Sequence, residues 1–185
     1  MRGRTVTRDR IDQFEQAWVE AYPDLDPVPL RILGRVTRLA GILEEQGQAL
    51  RSEFGVHLGE IQVLAALRRS LPDFTTSPKE LAELTLVTSA AVTNRLNSLE
   101  TKGLVSRRID ELSRRRILVT LTPAGVDLIE GYIRAFVERQ SRITDELSAS
   151  QRDEYISAMR HLLILVGDTA DEESTPLNVP GMDPL

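Results

Sequence analysis

The sequence contains no cysteine, few aromatic residues and no long apolar run, and each absence excludes a class of protein. Without cysteine there is no disulfide, no thiolate nucleophile, no zinc–thiolate site and no thiol redox sensor. Aromatic residues make up only 4% of the 185 residues, so aliphatic side chains must fill the core. No apolar run approaches the ~20 residues that span a bilayer, and the start of the chain lacks the apolar centre of a secretory signal. We therefore expect a cytoplasmic protein that does not engage a membrane.

The chain is also poor in residues that carry catalysis or bind metals. Its two histidines, His57 and His161, are too far apart in the sequence to suggest a metal centre, and we expect them at the surface or at helix caps. No nucleotide-binding loop, nucleophile elbow or paired-acid arrangement is found. We therefore expect no catalytic residue, no metal and no cofactor, and an enzyme is the least favoured class of function.

The charge is acidic in total but is distributed unevenly. The formal net charge is -5, whereas the segment 94–116 holds seven basic and three acidic residues, a local balance of +4. Screening limits the reach of each charge to about 8 Å, so the local balance decides what such a segment binds. This segment is compatible with binding to nucleic acid.

Apolar residues spaced by three and four predict helices in the first part of the chain. Ile11, Phe14, Trp18 and Tyr22 form one stripe, which predicts a first helix. A long helix with a broad apolar face is predicted from Pro29 to Phe54, followed by Gly55 as its C-cap. A shorter helix, GEIQVLAALRR, follows, with Gln62 as a polar interruption.

Two further helix starts predict a helix-turn-helix. Ser77 is placed as an N-cap, with Pro78 at the first helical position and Glu80 three residues after the serine. A second helix starts at Thr88 or Ser89 and ends near Gly103, where a left-handed C-cap is expected. Two helices joined by so short a turn are typical of a DNA-binding helix pair.

A hairpin is predicted directly after these helices. LVSRRI and RILVTL have the two-residue period of strands and are joined by DELSRR, which places Arg114, Arg115 and Arg116 at the tip. Two amphipathic helices follow. This order predicts a mainly α protein: a winged helix-turn-helix with a two-stranded wing and a helical dimerisation region. The arginines would enter the minor groove of DNA, although a solvated charge run is the alternative.

At this point the sequence resembles the MarR family of bacterial transcription regulators, over roughly Pro29 to Val166. The resemblance is carried by ELAELTLVTSAAVTNRLNSLETKGLVSRR, by SRRRILVTLTPAG and by the two amphipathic helices. It implies a homodimer formed by the terminal helices, which binds a two-fold symmetric double-stranded DNA operator and is released by a small organic anion or phenolic ligand. One departure is Ser113, which stands where the family usually has an acid that orients Arg115.

The added first helix resembles a subgroup of the family that responds to urate and related anions. That resemblance implies a ligand site formed by Trp18, Gln62, Arg95 and Arg107. Gln62 is a mismatch, because the subgroup has an aspartate there, whose repulsion by an anion is thought to trigger release. Two alternatives stay open: Arg95 braces the domain by pairing with an acid, and Trp18 packs in the core or in a dimer interface.

The resemblance and the helix pattern together predict the residues that contact DNA. The polar face of the reading helix points away from its apolar stripe and carries short side chains, among which the amide of Asn94 can pair with adenine through two hydrogen bonds. The predicted DNA-binding set is Ser77, Thr88, Ser89, Ala90, Thr93, Asn94, Asn97, Arg114 and Arg115.

These patterns predict four regions and one principal function. The regions are an N-terminal extension (1–26), a helical dimerisation region (27–56 and 122–167), a DNA-binding lobe (57–121) and a disordered tail (168–185). The predicted function is ligand-responsive, sequence-specific regulation of transcription, most simply repression. A DNA-binding regulator without a ligand and a winged-helix protein-interaction module are the alternatives.

Overall fold

The computed structural model describes residues 8–70, 73–110 and 113–169 and divides the chain into two compact units, 1–136 and 137–185. Within the described ranges, no helix is long and apolar enough to cross a membrane. Most of the predicted tail, 170–185, and the first seven residues lie outside the description. The elements in chain order are α1 (Arg10–Ala21), α2 (Val28–Glu53), α3 (Leu58–Arg69), β1 (Thr75–Thr76), α4 (Pro78–Thr85), α5 (Ser89–Thr101), β2 (Val105–Asp110), β3 (Ser113–Leu121), α6 (Pro123–Thr144) and α7 (Ala149–Leu165).

This order confirms the predicted winged helix-turn-helix, and the helix ends follow the local signals. Ser77 caps α4 and exchanges hydrogen bonds with Glu80, as predicted. Gly103 has the left-handed backbone expected of a residue that ends α5, with φ of 70°. His57 caps α3, because its Nδ1 accepts a hydrogen bond from the backbone N–H of Glu60, and His161 is exposed. The expectation that the histidines lie at caps or at the surface is confirmed.

The sheet differs from the predicted two-stranded wing, because a third strand, β1, pairs with β3. The strand order is β1-β3-β2, all antiparallel, with Thr75 opposite Thr120. The hydroxyls of these two threonines lie 2.7 Å apart and share a hydrogen bond. A two-residue strand has no periodicity of its own, so only pairing with β3 defines it.

The hairpin between β2 and β3 is also tighter than predicted. Asp110 pairs with Ser113, so β3 begins three residues earlier than the predicted strand. Arg114, Arg115 and Arg116 therefore belong to the backbone of β3 directly after the hairpin closes, and not to the connecting loop.

One aliphatic core holds the helix-turn-helix of the first unit together. Among the residues that the structure describes, seventeen buried apolar residues, from Leu50 to Tyr132, form one cluster. Within it, Val92, Leu96 and Leu99 are the buried stripe of α5, and each is at most 1% exposed. The core therefore fixes which face of α5 points outward.

The first helix is attached to α2 mainly by charge. Arg35 donates to Asp9 at 2.8 Å and to Asp12 at 2.6 Å, and Arg31 pairs with Glu15 at 2.5 Å. The backbone N–H of Asp9 and the Arg35 guanidinium lower the pKa of Asp12 from its ordinary value, against a smaller opposing effect of burial. The apolar stripe of α1 is left largely exposed, with Trp18 stacked on Tyr22 at a centroid distance of 5.7 Å.

Helix α7, in the second unit, begins at a capping box and buries none of its residues. Ser148 accepts from the backbone N–H of Gln151, and the Gln151 side chain accepts from the backbone N–H of Ser148. Exposed apolar side chains nevertheless run along the whole helix and just past its end: Tyr155, Ile156, Met159, Leu163, Ile164, Leu165 and Val166.

Candidate nucleic-acid interface

Helix α5 presents a continuous polar face to solvent. Its N-cap is Thr88, whose hydroxyl accepts from the backbone N–H of Ala91 at 3.3 Å. The amide of Asn94 has no hydrogen-bond partner within the described part of the chain. Six side chains predicted to contact DNA are exposed on and next to this helix: Thr88, Ser89, Ala90, Thr93, Asn94 and Asn97.

The turn that sets α4 against α5 contains a residue in an unusual conformation. Leu86 ends α4 with φ of 52° and ψ of 40°, a left-handed conformation that is costly for a residue with a Cβ. The backbone N–H of Val87 donates to the carbonyl of Ala82 at 3.2 Å, which closes the turn. The Leu86 side chain is 78% exposed, so packing does not explain it.

A buried carboxylate fixes α5 to the preceding elements. Glu60 of α3 is fully buried, and both of its oxygens lie 2.7 Å from the ammonium of Lys102. Ser98 of α5 donates to the same carboxylate at 2.6 Å, and Lys102 also donates to the carbonyl of Gly55 at 3.0 Å. One ion pair thereby joins the end of α5 to α3 and to the corner before it.

The sequence patterns did not predict this ion pair, because in the sequence Glu60 resembles an ordinary acidic residue in the first turn of a helix. Burial alone would raise the pKa of Glu60, but the hydrogen bonds from Lys102, Ser98 and the backbone of His57 outweigh it and lower the pKa from its ordinary value. The carboxylate is therefore ionised at neutral pH and stays paired.

A second carboxylate joins the wing to α4. Glu80 accepts from the hydroxyl of Thr76 at 2.6 Å and from the backbone and hydroxyl of Ser77, both at 2.9 Å. Its other oxygen accepts from Arg116 of β3 at 2.9 Å. Arg116 thus turns toward α4.

Of the other predicted DNA contacts, the side chain of Ser77 is described, whereas the side chains of Arg114 and Arg115 are not. Arg114 and Arg115 follow the hairpin in β3, and their side chains lie outside the described part of the structure. Ser77 is only 8% exposed, and its hydroxyl is engaged with Glu80. That location favours a capping role for Ser77 over a DNA contact.

The contacts around Glu80 predict a pH-dependent loss of stability. The hydroxyl of Thr76, followed by the backbone and hydroxyl of Ser77, lowers the pKa of Glu80 from 4.5 to about 2. A lowered pKa stabilises the fold above the unfolded value and loses that effect as the pH falls from about 4.5 toward 2. We expect Glu80→Gln to cost about 1 kcal/mol at pH 7, because the side chain is partly solvated, and the difference from the wild type to shrink across that window.

Urea unfolding of both proteins at pH 7, 4.5 and 3 would measure this. Glu83→Gln, which removes an exposed charge from the same helix, is the matched control and should show no such trend. A cost of Glu80→Gln that is the same at all three pH values would contradict the assignment.

Comparison with known proteins agrees with this geometry. The model of the MarR family matches residues 54–116, which span the helix-turn-helix and most of the wing. The chain is 26% identical over 157 residues to the HTH-type transcriptional regulator PecS of Dickeya dadantii (strain 3937), covering 85% of this chain and 90% of PecS. The match assigns a MarR-type helix-turn-helix and wing to residues 54–116.

A second relative and a solved structure agree with this match. The HTH-type transcriptional repressor YetL of Bacillus subtilis (strain 168) is 26% identical over 146 residues, covering 77% of this chain and 85% of YetL. The structure of the S. aureus MepR G34K mutant superposes with a TM-score of 0.65 at 19% identity, covering 72% of this chain and 97% of that one, and shows the shared fold. The relatives that the chain resembles are transcriptional regulators, which agrees with the expectation that it is not an enzyme.

Of the four ligand residues implied by the MarR subgroup, the structure brings two into direct contact. Arg95 donates to the side-chain oxygen of Gln62 at 3.1 Å. Its guanidinium also lies against Gly59 of α3, where a Cβ would stand only 2.4 Å from Nε. These contacts favour in part the alternative in which Arg95 braces the domain, although the side chain with which Arg95 pairs is an amide and not an acid.

The other two implied residues have different neighbours. Trp18 contacts Tyr22, and Arg107 of β2 donates to Asn97 at 2.8 Å and lies 3.5 Å from a carboxylate oxygen of Glu100. Three clefts of the described surface, each with about 480 to 660 Å³ of space, are lined by other residues than these four. The implied ligand site stays a prediction.

Proposed function

We propose that a dimer of this chain binds a two-fold symmetric DNA operator and represses transcription until a small organic anion releases it. The observation that carries the proposal is the exposed polar face of α5, which the core beneath it and the buried Glu60–Lys102 pair hold outward. A helix held in this way fits the major groove, and the hairpin after it reaches the neighbouring backbone or minor groove.

The local charge supports DNA as the partner. The segment 94–116 carries a net charge of +4 in a chain of net charge -5. Phosphate contacts supply much of the affinity for DNA, whereas contacts to base edges supply the specificity. We assign base reading first to Asn94 and groove contact to Arg115, with Arg114 as its neighbour in the same strand.

Exposed apolar surface supports a homodimer. In the first unit, α2 leaves Val28, Ile32, Leu33, Val36 and Leu39 between 37% and 55% exposed, and α7 in the second unit buries none of its residues. Apolar stripes of this extent mark interaction surfaces. We propose that the dimerisation region comprises 27–56 and 122–167, and that the lobe 57–121 binds DNA with its two copies of α5 about 34 Å apart.

The organic-anion part of the proposal rests on Arg95 and Arg107, whose guanidinium groups suit carboxylate ligands. Such a ligand would bind more tightly to a dimer whose two DNA-binding lobes are spaced too closely or too widely for the groove. It would weaken operator binding by the difference between its affinities for the two spacings. The mechanism therefore needs no contact between ligand and DNA.

Operator binding is tested by selecting duplexes from a random pool and titrating the enriched sequence. Arg115→Ala should weaken binding by about 1 to 3 kcal/mol and reduce the slope of affinity against salt by about one. Arg134→Ala, which removes an exposed charge from α6, is the control and should change neither. If no duplex binds at low or at high salt, the chain is a protein-interaction module instead.

Repeating that titration with urate, aconitate, citrate and salicylate tests the ligand. Trp18 is the single tryptophan, so its fluorescence reports any change at α1 directly. A released operator and an altered fluorescence would support the anion. Unchanged affinity and fluorescence with all four would favour a regulator without a ligand.

A further inference from the structure

The side chain of Asn97, on the polar face of α5, is held by the wing. Its Oδ1 accepts a hydrogen bond of 2.8 Å from a terminal nitrogen of Arg107. Glu100, one helical turn further along, lies beside the guanidinium with a carboxylate oxygen 3.5 Å from Nε, although Nε itself is buried without a hydrogen-bond partner in the described part of the chain. The Arg107 side chain is 24% exposed, so its stem is packed and its position is defined.

This contact determines which atoms Asn97 can offer to DNA. A guanidinium can only donate hydrogen bonds. It therefore holds the amide in the orientation that brings the oxygen, and not the nitrogen, toward it. The oxygen and the nitrogen diverge from one carbon of the amide, so they face different directions. With the oxygen directed at β2 and one of its two lone pairs occupied, the N–H groups of Asn97 are the atoms best placed to reach a partner beyond the protein.

Base recognition by an amide depends on both of its atoms. Asparagine pairs with adenine by donating to N7 and accepting from the N6 amino group, which requires oxygen and nitrogen to face the base together. An amide that presents its N–H groups suits an edge of acceptors instead. Guanine, with N7 and O6, is the base that offers two acceptors side by side in the major groove.

We propose that Arg107 is a positioning residue that turns the N–H groups of Asn97 toward the DNA, which makes this contact selective for guanine over adenine. The inference rests on the proposed function, since it assumes that α5 lies in the major groove. Asn94, whose amide has no partner in the described part of the chain, keeps the capacity to pair with adenine. The two asparagines of one helix face thereby read different bases.

Removing the positioning group should change base preference and not only affinity. In Arg107→Met the stem still packs, but the amide of Asn97 can rotate. We expect the preference for guanine over adenine at one position of each half-site to fall about tenfold. Arg107→Lys keeps a donor for Oδ1 and should retain the preference. Arg108→Met removes a charge from the adjacent, exposed position of β2 and is the matched control.

The experiment first selects operator duplexes with the wild-type dimer and then titrates each variant against duplexes altered at single base pairs. Asn97→Asp, which keeps the pair with Arg107 but loses the donors, should lose the guanine preference at the same position that Arg107→Met relaxes. Thermal unfolding of each variant verifies that it is folded.

The outcomes separate the inference from the proposed function. Relaxed preference at one shared position, with Arg107→Lys and Arg108→Met unchanged there, supports it. Uniform loss of affinity for every sequence would overturn it, because Arg107 or Asn97 would then contact phosphate. Failure to enrich any duplex would overturn the proposed function, and the inference with it.

Discussion

Replacing Glu60 by methionine should lower the free energy of unfolding by about 3 kcal/mol, more than any change on the polar face of α5. The carboxylate is fully buried, and both of its oxygens lie 2.7 Å from the ammonium of Lys102. Removing one partner of a buried ion pair costs about 3 to 5 kcal/mol, because the other is left uncompensated. We expect the lower end, since the Lys102 side chain is 36% exposed and can regain some water.

The double variant Glu60→Met/Lys102→Met separates charge from packing. Exchanging a whole buried pair for apolar side chains is often nearly neutral, so the double variant should recover at least half of the stability that the single variant loses. Urea unfolding followed by circular dichroism measures both. A double variant as unstable as Glu60→Met would show that the hydrogen bond from Ser98, and not the ion pair, carries the effect.

Replacing Gly125 by alanine should cost about 3 kcal/mol of unfolding free energy and is the second large effect we expect. A Cβ at this position would lie 2.0 Å from the carbonyl oxygen of Leu104 and 3.2 Å from the Leu121 side chain. The first of these neighbours is backbone, which cannot rotate away, so the start of α6 must move from the strands it packs against. Overpacking of this kind typically costs about 1 to 3 kcal/mol, and backbone contact places it at the upper end.

Gly131 offers a matched control in the same helix. A Cβ there would meet only the ring of Phe54, at 3.4 Å, which is near ordinary contact. Because alanine favours a helix over glycine by about 0.5 to 1 kcal/mol, Gly131→Ala should be neutral or slightly stabilising. Thermal unfolding of the two variants compares them directly, and equal losses would refute the close approach at Gly125.

Most of the fold could be predicted from local signals in the sequence. The capping residues at Ser77 and Thr88, the terminating Gly103 and the change from a helical to a two-residue period are properties of neighbouring residues, and each is found where it was predicted. Such signals act through hydrogen bonds and sterics within a few residues. They therefore need no knowledge of what lies across the fold.

The sequence predicted the candidate site only in outline. The period of α5 shows which side chains are outside, because the apolar stripe must be inside. It does not show that Asn97 is held by Arg107, ten residues away, or that Arg116 turns toward Glu80. Both contacts depend on how far the hairpin bends toward the helices.

The strand β1, the buried ion pair at Glu60 and the close approach at Gly125 were decided by tertiary structure alone. Each joins residues at least 20 positions apart, and each partner considered separately is an ordinary threonine, glutamate or glycine. Local sequence determines how a segment folds and which face it buries. What a buried polar group or a missing side chain meets on the other side is determined only when the segments pack.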